Sequence, residues 1–434
     1  MKTNFLLRIV GLILAIITPV VTILCTDITV PFDKEEIEVA TEKAGGFIKG
    51  VCHADPDYEL IKDANIGWFR DDIPFPYDKD GNLSQSYLSW KEYAKGYVDE
   101  GIKIFGVTPY PADYIEYGLD PRDPASREGI QEIARFYMND LRDIVGAFQI
   151  TNEMGVDRFT YPLEMDEAAE FIGMQLEAMA PIKGDILIGY NLTAQSLIPK
   201  VLPLMMRDYH EYCDYVGMDI YLGCFEPVLK NADQFVTVLK LIRLLTGKPV
   251  ILCEFGYIGL GEPKSNKEKK AILKEYGYNS EWAAKRDIDN FINNLPEELR
   301  NEFDRYADET PEMRASRMFD GEFSNHLYRE LQDGFGVYGF PHTPEGQANF
   351  FRYVIPRVRS LDFVIGTIVY CWSDSGACYV CGQTDCPVET KWGLVDGEGN
   401  PKPAYYAVKD AFSDVKEYEF EICDKRFEIS ISKK

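Results

Sequence analysis

Two stretches of the chain, FQITNEM at residues 148–154 and VILCEFG at residues 250–256, share one pattern. Each begins as an apolar run of the kind that fills a buried β-strand, and each then places a glutamate near its end. These glutamates are Glu153 and Glu254. Strands that are covered on both faces read as nearly continuous apolar runs. The two stretches therefore predict a fold of buried parallel strands that end in carboxylates.

Further runs of this kind recur along the chain, separated by segments with helical spacing of apolar residues. The eight runs lie at residues 47–52, 66–70, 102–107, 145–150, 185–190, 215–221, 249–255 and 364–372. Alternation of strand and helix implies parallel pairing with right-handed crossovers. Eight such units over about 370 residues predict an α/β fold, the (β/α)8 or TIM barrel. An open doubly wound sheet is the alternative, but no glycine-rich phosphate-binding turn follows any run.

The remaining segments suggest how the chain is divided. We assign residues 45–412 to the barrel and residues 26–44 to a linker. The long connection after the seventh run contains a charged, aromatic, helical stretch, which we interpret as an insertion at residues 259–343. In this position it would lie on the face where barrel enzymes keep their active sites. Residues 413–434 alternate like a β-hairpin and are predicted to form a tail outside the barrel.

Residues 1–25 have the pattern of an export signal. Lys2 and Arg8 flank the start of an apolar run that continues to Leu24. The run is long for a signal core and short for a membrane span, so a cleaved signal peptide and a retained membrane anchor are both open. A cytosolic protein with a buried N-terminal helix is the alternative, and the abrupt switch to charged residues after this segment disfavours it. We expect a protein that is secreted or attached to the outer face of the cell membrane.

Composition and charge limit the possible partners. The 434 residues are 46% hydrophobic and 13% aromatic, which is enough for a large core. The formal net charge of −25 excludes nucleic acid as a partner, since a polyanion would be repelled. We expect a monomer that binds a neutral or cationic ligand.

Four of the ten cysteines are crowded into a short segment. They are Cys371, Cys378, Cys381 and Cys386. In an exported protein a disulfide among them is one interpretation. A structural zinc site is another, because the Cys378–Cys381 pair has ligand spacing although no second such pair follows. Free thiols are the third, and the sequence leaves all three open.

Polar residues at the ends of the predicted strands are the candidate functional site. The carboxyl ends of barrel strands converge on one face, so residues far apart in the chain can meet there. The candidates are Arg70, Tyr110, Asn152, Glu153, Asn191, Tyr221, Glu254 and Trp372.

Two carboxylates across a small cleft suit hydrolysis of a glycosidic bond. One carboxyl must be protonated to donate to the leaving oxygen, and the other must be ionised to attack the sugar or activate water. Arg70 and Tyr221 are suited to keeping Glu254 ionised. Asn152 can donate hydrogen bonds to a sugar hydroxyl, and Trp372 offers a flat face for a sugar ring.

These residues resemble those of glycoside hydrolase clan A, the retaining β-glycosidases built on TIM barrels. The resemblance rests on TNE after the fourth run and CEFG at the seventh. It also rests on the arginine, tyrosine and tryptophan that end the second, sixth and eighth runs, and it covers residues 45–412. It implies that Glu153 is the acid/base, that Glu254 is the nucleophile and that the two carboxyls lie about 5–5.5 Å apart.

The resemblance is nearest to families 5 and 39 but does not select a family. Many family 5 cellulases have proline where this chain has Met154, and a histidine where it has Thr108, Pro109 and Tyr110. We predict a retaining β-glycosidase acting on a polysaccharide or oligosaccharide, with no metal and no organic cofactor at the site. The alternatives are a barrel that binds carbohydrate without catalysis and a metal-assisted barrel hydrolase.

Overall fold

The computed structural model describes residues 34–193, 201–222, 230–321, 323–332 and 336–413. The predicted signal or anchor at residues 1–25 lies outside the described residues. So does the predicted tail at residues 413–434, apart from its first residue.

Eight parallel strands close into one barrel in sequence order, with the last strand paired to the first. The strands are β1 Ile48–Cys52, β2 Trp68–Asp72, β3 Lys103–Val107, β4 Val145–Gln149, β5 Leu187–Leu192, β6 Tyr215–Ile220, β7 Val250–Phe255 and β8 Val364–Val369. Strands β5 to β8 are buried at every position, as expected when helices cover the outside of the barrel and side chains fill the inside. The predicted (β/α)8 barrel is confirmed.

Helices follow the strands and turn their apolar faces to the barrel. They are α1 Lys34–Ala44, α2 Tyr58–Asp63, α3 Gln85–Asp99, α4 Pro111–Tyr117, α5 Arg127–Asp140, α6 Asp157–Thr160, α7 Met165–Met179, α8 Val201–Asp208 and α9 Gln234–Thr246. In α5, for example, Ile130, Ile133, Ala134 and Tyr137 are buried on one stripe. Short 3-10 turns at 124–126, 180–182 and 210–212 complete the connections.

Helix α1 corrects the predicted linker at residues 26–44. Ile37, Ala40 and Ala44 recur at helical spacing and are buried. Lys248 bonds Glu36 at 2.8 Å, and the carbonyl of Ala44 accepts a 2.6 Å hydrogen bond from Lys103. These partners lie where β7 and β3 begin, so α1 packs across the end of the barrel opposite the strand carboxyl ends.

The connection between β7 and β8 carries further helices. They are α10 Asn266–Glu275, α11 Glu281–Arg286, α12 Ile288–Asn293, α13 Glu297–Asp304, α14 Pro311–Asp320, α15 Ser324–Tyr328 and α16 Pro344–Arg359. Phe291, Phe303 and Phe319 are buried within this group, which therefore has apolar packing of its own. The last helix, α17 Pro403–Phe412, follows β8 and lies against α16. Within the described ranges, no helix is long and apolar enough to cross a membrane.

Candidate active site

Arg70 is the centre of a buried hydrogen-bond network at the carboxyl ends of the strands. The side chain is 1% exposed and emerges from β2. Its Nη1 donates to Oε1 of Glu254 at 2.5 Å, and its Nη2 donates to Oδ1 of Asn152 at 2.8 Å. Gln149 of β4 accepts two further bonds from the same guanidinium, at 3.2 and 3.1 Å. The arginine therefore joins the ends of β4 and β7 across the barrel interior.

Glu254 has a second donor. The hydroxyl of Tyr221, which follows β6, donates to Oε2 of Glu254 at 2.5 Å. Both oxygens of a carboxylate that is 6% exposed are thus bonded, one of them to a cation. Because an isolated buried charge is costly, this pairing accounts for a glutamate inside an apolar strand.

Glu153 is held through its backbone by Asn191. The N–H of Glu153 donates to Oδ1 of Asn191 at 2.9 Å, and Nδ2 of Asn191 donates to Asn152 at 2.7 Å and to Asp219 at 2.5 Å. Glu153 has φ +44°, in the left-handed region that non-glycine residues seldom adopt. Such backbone positions cluster at functional sites because the surrounding contacts must enforce them.

Both glutamates lie close enough to three further site residues for their charges to affect those residues. Burial is the largest cause of a raised pKa at Asp219, and the charges of Glu254 and Glu153 raise it further. Burial also raises the pKa of Tyr221 and of Tyr110, and the two glutamates contribute in each case. The pKa values of Asp219, Tyr221 and Tyr110, at three strand ends, are therefore raised by both carboxylates. Seven of the eight predicted site residues, all except Trp372, belong to this arrangement.

The structure corrects the prediction for Trp372. Its side chain is 1% exposed, and its ring packs edge-on against Tyr405 of α17 at a centroid distance of 6.2 Å. It therefore has no open face for a sugar. The predicted eighth strand ran to residue 372, but β8 ends at Val369, so Tyr370 is the aromatic residue directly after the strand. Its ring meets that of Tyr221 at 5.9 Å.

Several site residues were not singled out from the sequence. Gln149 was detectable as a polar residue inside an apolar strand, and Asp219 as the carboxylate before the β6 terminus. His53, which directly follows β1, is another such residue. Its Nδ1 lies 3.3 Å from Asp71, and its ring meets Tyr370 edge-on at 5.7 Å. Nothing in the sequence distinguishes Tyr370 from the other aromatic residues.

Tyr379 and Arg158 form a cation–π pair. The guanidinium carbon of Arg158 lies 4.5 Å from the centre of the Tyr379 ring. Tyr379 is 51% exposed. Its pKa is raised by burial and by the charges of Glu389 and Glu153. An exposed aromatic ring therefore lies within electrostatic reach of Glu153.

The site residues form a polar ring with two carboxylates and several fixed donors. One carboxyl of such a ring can protonate a leaving oxygen. The other, as an ionised carboxylate, can attack the atom from which that oxygen departs. Among the described residues, one group of potential metal ligands exists, and it is separate from this ring. Its members are His326, Cys378, Cys381 and Cys386.

No protein-family model and no curated protein sequence matches this chain. Solved structures are similar in fold. The GH53 catalytic domain of Ignisphaera aggregans aligns with a TM-score of 0.52 and 15% identity over 85% of this chain and 96% of that one. An exo-β-1,4-mannosidase from Opitutaceae bacterium strain TAV5 aligns with a TM-score of 0.50 and 15% identity over 85% of this chain and 60% of that one.

A GH2 β-galacturonidase from Eisenbergiella tayi aligns with a TM-score of 0.48 and 14% identity over 86% of this chain. This chain spans about half of that protein, 52% of its length. At 15% identity the first two alignments show a shared fold.

Proposed function

We propose that this protein is a retaining glycoside hydrolase that cleaves β-glycosidic bonds of a polysaccharide or oligosaccharide. The observation that carries the proposal is the hydrogen-bond chain from Glu254 through Arg70, Asn152 and Asn191 to the backbone of Glu153. It links the carboxylate of Glu254, in β7, to the backbone of Glu153, which follows β4. The solved structures with similar barrels include a mannosidase, which agrees with this proposal.

In the first step Glu254 is the nucleophile. Its carboxylate attacks the anomeric carbon while the bond to the leaving oxygen breaks, which gives a covalent glycosyl-enzyme. Arg70 and Tyr221 hold the two carboxylate oxygens in place. They compensate the charge of Glu254 before attack and fix its orientation, so little reorganisation is needed during reaction.

Glu153 supplies the proton in this step. Its carboxyl group gives a proton to the leaving oxygen, and its carboxylate then takes a proton from the water that attacks the glycosyl-enzyme. Asn152 accepts three hydrogen bonds at Oδ1, from Arg70, Gln149 and Asn191. This arrangement fixes the side-chain amide and leaves its N–H groups to bind a hydroxyl of the sugar.

The direct test compares Glu153→Gln and Glu254→Gln with the wild type on a panel of aryl β-glycosides. We expect Glu254→Gln to lose at least about 10³-fold in kcat, the scale of removing a nucleophile from a site that acts as a unit. Glu262→Gln, an exposed glutamate in the insertion, is the control and should keep wild-type rates.

Two outcomes would overturn the proposal. Full activity of either catalytic variant would remove the assigned roles. Sugar binding without turnover by the wild type across the panel would instead favour a carbohydrate-binding barrel. With azide present, Glu153→Ala should form the β-glycosyl azide, because azide needs no general base and attacks the same covalent intermediate.

The cellular location is also a proposal. Residues 1–25 support export, with the catalytic barrel outside the cell membrane as a monomer. Fractionation of the producing cells, with N-terminal sequencing of the mature chain, tests this. Recovery of the full-length chain in the cytosol would contradict it.

A further inference from the structure

A buried cluster of three thiols and one imidazole joins two loops beside the barrel. Its members are His326, Cys378, Cys381 and Cys386, and their potential ligand atoms all lie within 4.8 Å of one another. His326 comes from α15 in the insertion after β7, and the cysteines come from the loop after β8. Each of the four is at most 7% exposed. Of the crowded cysteines only Cys371 is outside the cluster, and it bonds the carbonyl of Ser373 instead.

We propose that these four residues bind one structural zinc ion. Cys₃His is a ligand set of closed, tetrahedral zinc sites. Zinc–sulfur distances of about 2.3 Å and zinc–nitrogen distances of about 2.0–2.1 Å place neighbouring sulfur and nitrogen ligands about 3.6 Å apart. The Nδ1 of His326 lies 3.5 Å from the sulfur of Cys378 and 3.8 Å from that of Cys386. The spacing therefore fits a shared central ion.

A tight backbone turn positions Cys378 and Cys381, the two proposed ligands that are nearest to each other in the sequence. Gly382 follows Cys381 at φ +70°, and its N–H donates to the carbonyl of Cys378 at 2.7 Å. The N–H of Cys378 in turn donates to the carbonyl of Gln383 at 3.0 Å. A side chain at position 382 would have to adopt a left-handed conformation and would meet the carboxylate of Glu298. The tight turn brings Cys378 and Cys381 to the same side.

Zinc explains the cluster better than a disulfide does. No disulfide joins any of the seven cysteines in the described part of the chain. A disulfide between Cys378 and Cys381 would leave the buried Cys386 and His326 side by side without a metal ion to bind. His326 completes a set of ligands made mostly of cysteines.

The proposed zinc ion would fix the loop after β8 to the insertion. Tyr379 is next to the ligand Cys378 and stacks with Arg158, so the ion would also hold this exposed ring in place. This consequence for substrate rests on the proposed function, whereas the zinc site does not.

The test measures zinc in the full chain purified without chelators. We expect about one zinc per chain after dialysis, with X-ray absorption showing three sulfur ligands at about 2.3 Å and one nitrogen at about 2.0–2.1 Å. Cys381→Ser and His326→Ala should lose most of the metal. Cys213→Ser, which alters a buried thiol that bonds the carbonyl of Tyr209 instead, should keep it.

The proposal does not depend on the variants folding, since the absorption spectrum is taken on the wild type. If purified wild type contains no zinc, it is reduced, given zinc and filtered. Failure to retain the metal, or recovery of two of the three cluster cysteines as a disulfide, would overturn the proposal. Equal zinc in wild type and in folded ligand variants would do the same. Absent activity with zinc bound would overturn only the proposed function.

Discussion

Nη1 of Arg70 lies 2.5 Å from Oε1 of Glu254, and both side chains are buried at the carboxyl ends of the barrel strands. The same guanidinium holds Asn152, the neighbour of Glu153. One cation thus fixes residues from both glutamate-bearing strands. Its planar, forked group can do this, whereas a lysine ammonium cannot reproduce the fork.

Arg70→Met should therefore reduce stability and catalysis together. Removing one partner of a buried ion pair costs about 3–5 kcal/mol, because the other charge remains buried. We expect kcat/KM to fall by at least about 10²-fold in protein that is still folded. Arg243→Met is the control, since Arg243 is also buried but bonds the carbonyl of Gly247. Steady-state kinetics and thermal unfolding of both variants measure the difference. A similar kcat/KM loss in both would contradict a specific role for Arg70.

Asp219→Asn should change how stability depends on pH. The pKa of Asp219 is raised in the folded protein, first by burial and then by Glu254 and Glu153. Between the unfolded and folded pKa values the folded state holds more protons, so wild-type stability falls as pH rises through that window. Asparagine does not titrate. We expect the melting temperature of the variant, relative to that of the wild type, to rise from about pH 4 to pH 7.

Asp143→Asn, at an exposed position, provides the comparison for this pH series. Its melting profile should run parallel to that of the wild type. A melting temperature of Asp219→Asn that falls relative to that of the wild type as pH rises would reverse the assigned direction of the shift.

Tyr379→Ala should weaken substrate binding. The exposed ring lies within electrostatic reach of Glu153, so under the proposed function it can cover one face of a bound sugar. We expect KM to rise by about fivefold to tenfold, which corresponds to ~1–1.4 kcal/mol. Tyr406→Ala is the matched control, since Tyr406 is 52% exposed on α17. Equal KM values for the two variants would show that Tyr379 does not contact the substrate.

Trp372 should behave as a core residue. Because its indole is buried against Tyr405, Trp372→Ala should lower the free energy of unfolding by about 3–5 kcal/mol. Trp372→Phe should keep KM within about twofold of wild type while lowering the melting temperature. Tyr370→Ala should raise KM with a smaller loss of stability. A large KM change in folded Trp372→Phe would restore Trp372 to the site.

The barrel and most of its site were predictable because apolar runs and strand order are local properties of the sequence. Glu153 follows from its place after the fourth strand, and Glu254 from its place near the end of the seventh. The sequence analysis predicted Trp372, where the structure places Tyr370, at the end of the eighth strand. The difference arises because β8 ends at Val369, three residues before the predicted end. Helix α1 was missed because Ile37, Ala40 and Ala44 make a short apolar stripe among charged residues.

The cluster around His326 could not be predicted from the sequence for a different reason. Its histidine and its cysteines are about fifty residues apart and come from separate connections, 326 and 378 being 52 positions apart. Only the packing of the insertion against the loop after β8 brings them together.

The central claim is that Glu254 forms a covalent bond to the sugar, and peptide mass spectrometry can measure this directly. The enzyme is treated with a 2-deoxy-2-fluoro glycoside with an activated leaving group, made from the sugar that the aryl glycoside panel selects, since the fluorine slows release of the intermediate. We predict one label per chain, on Glu254, and no label on the Glu254→Gln variant. A label on another residue, or a first product with inverted anomeric configuration, would contradict it.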